Sequence, residues 1–226
     1  MTGGLVRLET TQGPVEAWRE PAREARRGGL VVLHAAWGIT PHLRALAAEW
    51  AGEGWEALVP ALLDPPGRPL PDRDADPDRR PERLALAEAV GQGEATLPRV
   101  RAAVEALAAP VAVMGFGLGG TVAWLAACRL PGIAAAASFY GGHVARFAQE
   151  APRCPTLLHF GRRDERIPAA DRDRIAAAHP DLPVHLYDAG HAFVAPDGHD
   201  ADSARLALLR TRALFHRATG GRDAGA

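Results

Sequence analysis

Short apolar segments alternate with helix-patterned segments along most of this chain. Residues 30–34 form a continuous apolar run, which is typical of a strand buried on both faces. Similar runs predict strands over 57–60, 111–114, 135–140, 156–160 and 184–187, with helices over 95–108, 119–129, 168–178 and 200–216. A strand, a helix and a further strand fold most readily as a parallel pair with the helix on the sheet. The pattern predicts an α/β protein with about eight mostly parallel strands and helices on both faces.

The N-terminal part adds a hairpin and a capped helix to this pattern. Residues 5–9 and 14–19 flank a turn at Gly13, which predicts two antiparallel strands. Thr40 followed by Pro41 is a helix-start signal, because threonine caps the free N–H groups and proline suits the first turn. We expect one domain over residues 1–226.

Two segments do not fit the alternation. Residues 64–83 are rich in proline, aspartate and arginine, and predict either a solvated loop or a flap over a pocket. The last residues, 219–226, predict a flexible tail.

Charge and cysteine content exclude several function classes. The formal net charge of −1 provides no basic field for nucleic acid or an anionic membrane. No apolar run approaches the roughly 20 residues of a membrane span, and the first residues do not resemble a signal peptide. Cys128 and Cys154 make no disulfide framework, which favours the cytoplasm. We expect a small-molecule substrate or ligand, no nucleic acid or membrane partner and no cofactor; the oligomeric state is left open.

A glycine-rich segment over 111–121 carries the main functional signal, and two interpretations compete for it. Gly115 and Gly119 fit a nucleophile elbow, G-x-(Ser/Cys)-x-G, except that the central residue is Gly117. Gly115, Gly117 and Gly120 also match the dinucleotide pattern G-x-G-x-x-G. That pattern is expected in an opening βαβ unit with a carboxylate after the next strand. Here it lies in mid-chain, and the next strand runs into Tyr140 and two glycines.

An acid and a histidine follow the elbow in the order that an α/β-hydrolase requires. Asp164 lies just past a predicted strand, and His191 lies in the loop after the last one. In this arrangement the aspartate orients the imidazole and stabilises its protonated form. The order of the three segments favours the elbow over the dinucleotide interpretation. A metal site is not expected, since no regular spacing joins His191 to Asp197, His199 and Asp200.

With these residues in view, the sequence resembles the dienelactone hydrolase family over about residues 5–216. The segments that carry the resemblance are 33–38, 115–120, 138–142, 159–164 and 190–193. It implies an α/β-hydrolase fold and a Cys–Asp–His triad that opens lactones or esters. The aspartate corresponds to Asp164 and the histidine to His191. The resemblance also implies oxyanion donors at the backbone N–H groups of Leu118 and Ala36, and a pocket lined by Trp37 and Phe193.

The chain departs from that family at three positions. Gly117 stands where the family has its thiol, and Ala35 stands where a glutamate partners the resting thiol. Ala195 corresponds to an arginine that grips the substrate carboxylate in the founding type, so we expect a neutral, fairly apolar substrate. Cys128 lies too far along the predicted helix to replace the thiol, and Cys154 precedes a strand at the wrong edge. The standard covalent mechanism is therefore not available.

Three functional hypotheses remain. The first is a nucleophile-free enzyme in which His191 and Asp164 act on a neutral lactone, ester or related carbonyl compound by hydrolysis, elimination, isomerisation or cyclisation. The second is an inactive protein that binds a ligand in the same pocket. The third is a dinucleotide-binding enzyme that uses Gly115, Gly117 and Gly120.

Overall fold

The computed structural model describes residues 3–64, 81, 84–85, 87–88, 93 and 95–220. Within these residues the strands are β1 (Gly4–Leu8), β2 (Val15–Glu20), β3 (Gly28–Leu33), β4 (Trp55–Pro60), β5 (Val111–Phe116), β6 (Ile133–Phe139), β7 (Thr156–Gly161) and β8 (Val184–Tyr187). The α-helices are α1 (Pro41–Gly52), α2 (Leu97–Glu105), α3 (Leu118–Arg129), α4 (Ala169–Ala178) and α5 (Ala201–Ala218). Short 3₁₀ turns cover Val144–Phe147 and Pro196–Gly198.

The strands of the described residues form one sheet in the order β1-β2-β4-β3-β5-β6-β7-β8. β1 pairs antiparallel with β2, and β2 antiparallel with β4, whereas the other neighbours are parallel. The prediction of a mostly parallel α/β sheet with an opening hairpin is confirmed. Because β3 and β5 to β8 run in the same direction, the loops after them meet at one edge.

Apolar side chains cover both faces of this sheet, as a parallel sheet requires. Along β3, Leu30 and Val32 belong to the core under α1 and α5, whereas Val31 and Leu33 belong to the core under α2. Helix α3 contributes to both cores. Its Trp124 belongs to the core under α1 and α5, and other apolar side chains of α3 belong to the core under α2. Because they are packed on both faces, the central strands form a rigid support for the sheet edge from which the loops extend.

Element boundaries differ from the predictions by a few residues. β3 begins at Gly28, before the apolar run, because its two glycines lie directly against the residue that precedes β5. Gly29 N–H donates a hydrogen bond to Pro110 O at 2.8 Å. α2 spans Leu97–Glu105, shorter than the predicted 95–108. The proline-rich segment 64–83 lies outside the described residues except for Asp64 and Pro81. The predicted tail 219–226 lies outside them beyond Gly220.

None of the helices in the described ranges is long and apolar enough to cross a bilayer.

A buried histidine joins the sheet to α5. His159 on β7 is fully buried; its Nδ1 lies 2.8 Å from Tyr187 Oη and its Nε2 3.0 Å from Thr211 Oγ1. Thr211 donates to Ala207 O, so it accepts from His159 Nε2–H, and Tyr187 O–H donates to Nδ1. Burial, followed by the charges of His185 and Arg210, lowers the pKa of His159 well below its ordinary value. The ring is therefore neutral in the folded protein.

We expect this histidine to make the folded protein sensitive to acid. Unfolded His159 takes up a proton near pH 6.5, whereas the folded ring resists it, so its contribution to stability is complete above that pH and is lost as the pH falls below it. The loss should approach about 1 kcal/mol per pH unit. Urea titrations at pH 7.5, 6.5 and 5.5 on the wild type and His159→Gln test this. The wild type should lose more stability than the variant, and parallel losses contradict the prediction. His199→Gln, at an exposed histidine, is the control.

Candidate active site

The loops at the carboxyl edge of the sheet enclose a pocket of about 1280 Å³. It lies over the end of β5, between the loops that follow β3, β6, β7 and β8. Its lining includes Ala35, Ala36, Trp37, Gly117, Leu118, Thr121, Tyr140 and His191. The described part of the chain thus brings at least four segments that are distant in sequence to a single cavity.

Gly117 forms a sharp turn between β5 and α3, with φ of 54° and ψ of −113°. The glycines around it allow the strand and the helix to approach closely. A Cβ on Gly115 would lie 1.9 Å from Gly119 O, one on Gly119 2.2 Å from Leu33 O, and one on Gly120 2.5 Å from Phe139 O. Backbone packing therefore explains these glycines without a nucleotide, which favours the elbow over the dinucleotide interpretation.

Gly117 itself is not crowded. Among the described residues, a Cβ built there meets only the Cβ of Ala35, at 3.5 Å, which is an ordinary contact. Its positive φ disfavours a side chain, but the surrounding atoms do not. The position of the expected nucleophile is open space at the floor of the pocket.

His191 and Asp164 form the predicted pair. His191 Nδ1 lies 2.7 Å from Asp164 Oδ2, and the carboxylate is fully buried. Asp164 Oδ1 accepts a hydrogen bond from the Arg166 N–H at 2.9 Å. Because the carboxylate is fixed at both oxygens, it holds the imidazole with Nδ1 protonated and leaves Nε2 for a substrate. The His191 side chain keeps 22% of its surface exposed, so the pocket is open to it.

Tyr140 supports the histidine from the side. Its ring centroid lies 5.3 Å from that of His191, and its backbone φ is 40°, which is unusual for a residue other than glycine. Burial raises the pKa of the Tyr140 phenol, which is therefore neutral. Strain of this kind is common at functional sites.

The loop that carries Ala36 is held by His34, a residue whose role the sequence did not indicate. His34 is fully buried, and its Nε2 accepts a hydrogen bond from Leu62 N–H at 2.8 Å. Nδ1 is therefore protonated and donates to Ala35 O at 2.6 Å. The carbonyl of His34 accepts from Gly119 N–H at 3.1 Å, which joins this loop to the elbow. Ala36 and Leu118 consequently lie on two segments that are fastened together.

One predicted pocket residue lies elsewhere. Phe193 is fully buried, with its ring 5.3 Å from Tyr140 and 5.1 Å from Tyr187, and it is not among the residues that line the pocket. Its aromatic ring fills the core behind the histidine loop instead. Ala35, Ala36, Trp37, Leu118 and Ala195 do line the pocket.

The pocket is also more polar than the sequence indicated. Charged or titratable side chains on its wall include His42, Glu88, His143, Arg146, Arg166 and Asp171. His143 was detectable in principle, since it comes just after a strand whose end faces the pocket. Glu88 was not, because it lies far away in sequence and has no motif. The absence of an arginine at Ala195 therefore does not make the pocket uncharged.

Neither cysteine of the chain is placed to act as an alternative nucleophile. Cys128 is buried, and burial raises the pKa of its thiol to about 12. Burial also raises the pKa of Cys154. Both cysteines are free, and neither lines the pocket. In the same described ranges, no group of three or more His, Cys, Asp or Glu side chains is arranged to hold a metal ion.

Comparison with known proteins agrees with this architecture. The model of the dienelactone hydrolase family matches residues 17–219. A carboxymethylenebutenolidase of Rhodococcus opacus is 30% identical over 212 residues, covering 83% of this chain and 80% of the relative. A carboxymethylenebutenolidase of Pseudomonas sp. (strain P51) is 29% identical over 214 residues, covering 85% and 87%.

Solved structures share the fold at lower identity. A dienelactone hydrolase-like promiscuous phosphotriesterase from metagenomic libraries superposes with a TM-score of 0.73 at 19% identity, covering 96% of this chain and 99% of the other. A Pyrococcus furiosus esterase does so with a TM-score of 0.66 at 13% identity, covering 93% and 92%. At these identities the likeness concerns the fold alone.

Proposed function

This chain belongs to the dienelactone hydrolase family, and we propose that it hydrolyses a lactone or ester without forming a covalent intermediate. The single observation that carries the proposal is the His191–Asp164 pair, 2.7 Å apart, facing a pocket whose nucleophile position is Gly117. The relatives named carboxymethylenebutenolidase support a lactone or ester as the substrate class.

The base in this mechanism is His191 Nε2. It removes a proton from a water molecule while the water oxygen attacks the carbonyl carbon. Asp164 stabilises the imidazolium that forms, because its buried carboxylate contacts Nδ1 at 2.7 Å. The pair thus supplies the acid–base half of a hydrolase triad.

We assign the oxyanion to the backbone N–H groups of Leu118 and Ala36. Both residues line the pocket, as Gly117 does. Because His34 fastens the Ala36 loop to Leu62, just after β4, and to the elbow, these two residues are fixed in place before the substrate arrives. As the tetrahedral intermediate collapses, the leaving oxygen takes up a proton and the carbonyl group forms again.

The attacking water occupies the space that a thiol takes in the covalent mechanism. Among the described residues, the atom nearest to a Cβ on Gly117 is the Ala35 methyl carbon at 3.5 Å, so the pocket that His191 also lines has room for a water there. A water in that position attacks the carbonyl from the direction in which a side-chain nucleophile does.

The test compares the wild type with His191→Ala on p-nitrophenyl butyrate and γ-butyrolactone. We expect slow turnover by the wild type, no acyl adduct by intact mass, and a loss on the order of 10²-fold in His191→Ala. His199→Gln is the matched control. An acyl adduct on the wild type contradicts the non-covalent route. Binding of the lactone without turnover favours a non-catalytic ligand-binding protein.

A further inference from the structure

A second imidazole–carboxylate pair lies in the same pocket as His191 and Asp164. His143 Nε2 is 2.9 Å from Glu88 Oε2, and Glu88 Oε1 accepts a hydrogen bond from Arg146 Nη1 at 2.9 Å. All three residues line the pocket. The arginine neutralises part of the carboxylate charge and fixes its orientation. The His143 side chain keeps 24% of its surface exposed, whereas Glu88 and Arg146 keep 55% and 52%.

The backbone of His143 is tied to the elbow helix. His143 N–H donates to Thr121 Oγ1 at 3.1 Å, and Thr121 lies one helical turn after Gly117. Thr121 N–H in turn donates to Gly117 O at 3.1 Å. Two consecutive hydrogen bonds thus connect His143 to the residue at the nucleophile position. The histidine is fixed to the floor of the pocket rather than to a distant wall.

Nε2 of His143 faces Glu88, which leaves Nδ1 as the nitrogen for a substrate. Among the described residues Nδ1 makes no hydrogen bond, and the side chain keeps 24% of its surface exposed. We propose that His143 is a second proton-transfer residue of this site, held by Glu88, which protonates the leaving oxygen of the substrate. This inference rests on the proposed hydrolysis of lactones or esters.

The proton balance of the step is complete without another reactant. His191 Nε2 takes a proton from water as the water oxygen attacks the carbonyl carbon. When the carbon–oxygen bond of the leaving group breaks, its electron pair stays on the leaving oxygen. That oxygen receives the proton from protonated His143 Nδ1, and the nitrogen keeps the N–H electron pair. Water has then been added across the bond, and exchange with solvent restores the protonation of the two rings.

Burial lowers the pKa of His143, and the neighbouring Glu88 carboxylate opposes that change. A lower pKa makes the protonated ring a stronger acid, although a smaller fraction of it is protonated at neutral pH. This balance suits a group that gives up a proton to an alkoxide. It also makes Glu88 the positioning residue, since its charge favours the protonated ring.

The experiment uses two esters with the same acyl group, methyl butyrate and p-nitrophenyl butyrate. Nitrophenolate is a stable anion and leaves without being protonated, whereas the methoxide oxygen has to be protonated as it leaves. We expect His143→Gln to lose on the order of 10²-fold in kcat on methyl butyrate and less than about threefold on p-nitrophenyl butyrate. Glu88→Gln should show the same split, more weakly. His199→Gln, an exposed histidine outside the pocket lining, is the matched control.

The same measurement in a Gly117→Cys background separates the two proposals. If the wild type is inert and this background shows the split, the non-covalent function fails and the role of His143 stands. The role of His143 is overturned if, in the enzyme that turns over, His143→Gln lowers kcat equally on both esters or lowers it on neither. If neither enzyme hydrolyses any ester, both proposals fail. Loss of a histidine with a merely structural role would change kcat on the two esters to the same extent.

Discussion

Gly117→Cys should convert this protein into one that is acylated by p-nitrophenyl butyrate, with hydrolysis rising on the order of 10³-fold. The new Cβ has room, because in the part of the chain that the structure describes the one non-adjacent atom within 4 Å is the Ala35 methyl carbon at 3.5 Å. The thiol would lie at the N-terminus of α3, where the helix dipole favours the thiolate, in the pocket that His191 also lines. The measurement is the acyl-enzyme mass together with burst kinetics.

The strain at this position limits the gain. A side chain at a φ of 54° costs about 1–3 kcal/mol of stability, so the variant should unfold at lower temperature than the wild type. Gly132→Cys is the matched control: Gly132 is an exposed glycine with a φ of 81°, and a Cβ there contacts only Val104, at 3.7 Å. That thiol has no pocket and should not acylate. A folded Gly117→Cys protein that stays unacylated would show that His191 does not serve a nucleophile here.

Gly115→Ala should produce the largest loss of stability among the substitutions considered, about 4 kcal/mol or more. The added methyl group would lie 1.9 Å from the carbonyl oxygen of Gly119, and that oxygen belongs to backbone that cannot rotate away. Relief requires α3 to move off β5, which separates the elbow from the strand that positions it. Thermal unfolding should show a drop of roughly 10–15 °C.

The control for this steric argument is Gly52→Ala, at the C-terminus of α1. A Cβ on Gly52 meets no atom of the described, non-adjacent residues within 4 Å, so alanine should leave stability unchanged or raise it slightly. If both alanine variants unfold at the same temperature as the wild type, the close approach of β5 and α3 is not what Gly115 provides.

The sheet could be predicted well from the sequence, because strands that are buried on both faces consist of consecutive apolar residues. Residues 30–34 and 111–114 are such runs, and both lie inside the sheet except for His34, which follows the end of β3. The beginning of β3 was missed, because Gly28 joins it through backbone contact with Pro110, for which hydropathy gives no signal. Element order was therefore easier to predict than element ends.

Some residues of the candidate site could likewise be predicted from the sequence, and others could not. His191 and Asp164 were predictable because chain order and strand ends constrain a triad, and the structure places them 2.7 Å apart. Phe193 was misplaced, since a neighbouring histidine says nothing about which way an aromatic ring turns. Glu88 and His34 were missed because their contacts, to His143 and Leu62, join residues that no local pattern relates.

The open space beyond Gly117 also has a pharmacological consequence. An inhibitor with one additional methyl group aimed at the Ala35 methyl would fill that space and gain about 0.8 kcal/mol for the buried carbon. The same methyl group would collide with a cysteine side chain at this position. A compound of that shape should therefore distinguish this protein from any homologue that carries the thiol, and its affinity for Gly117→Cys should fall accordingly.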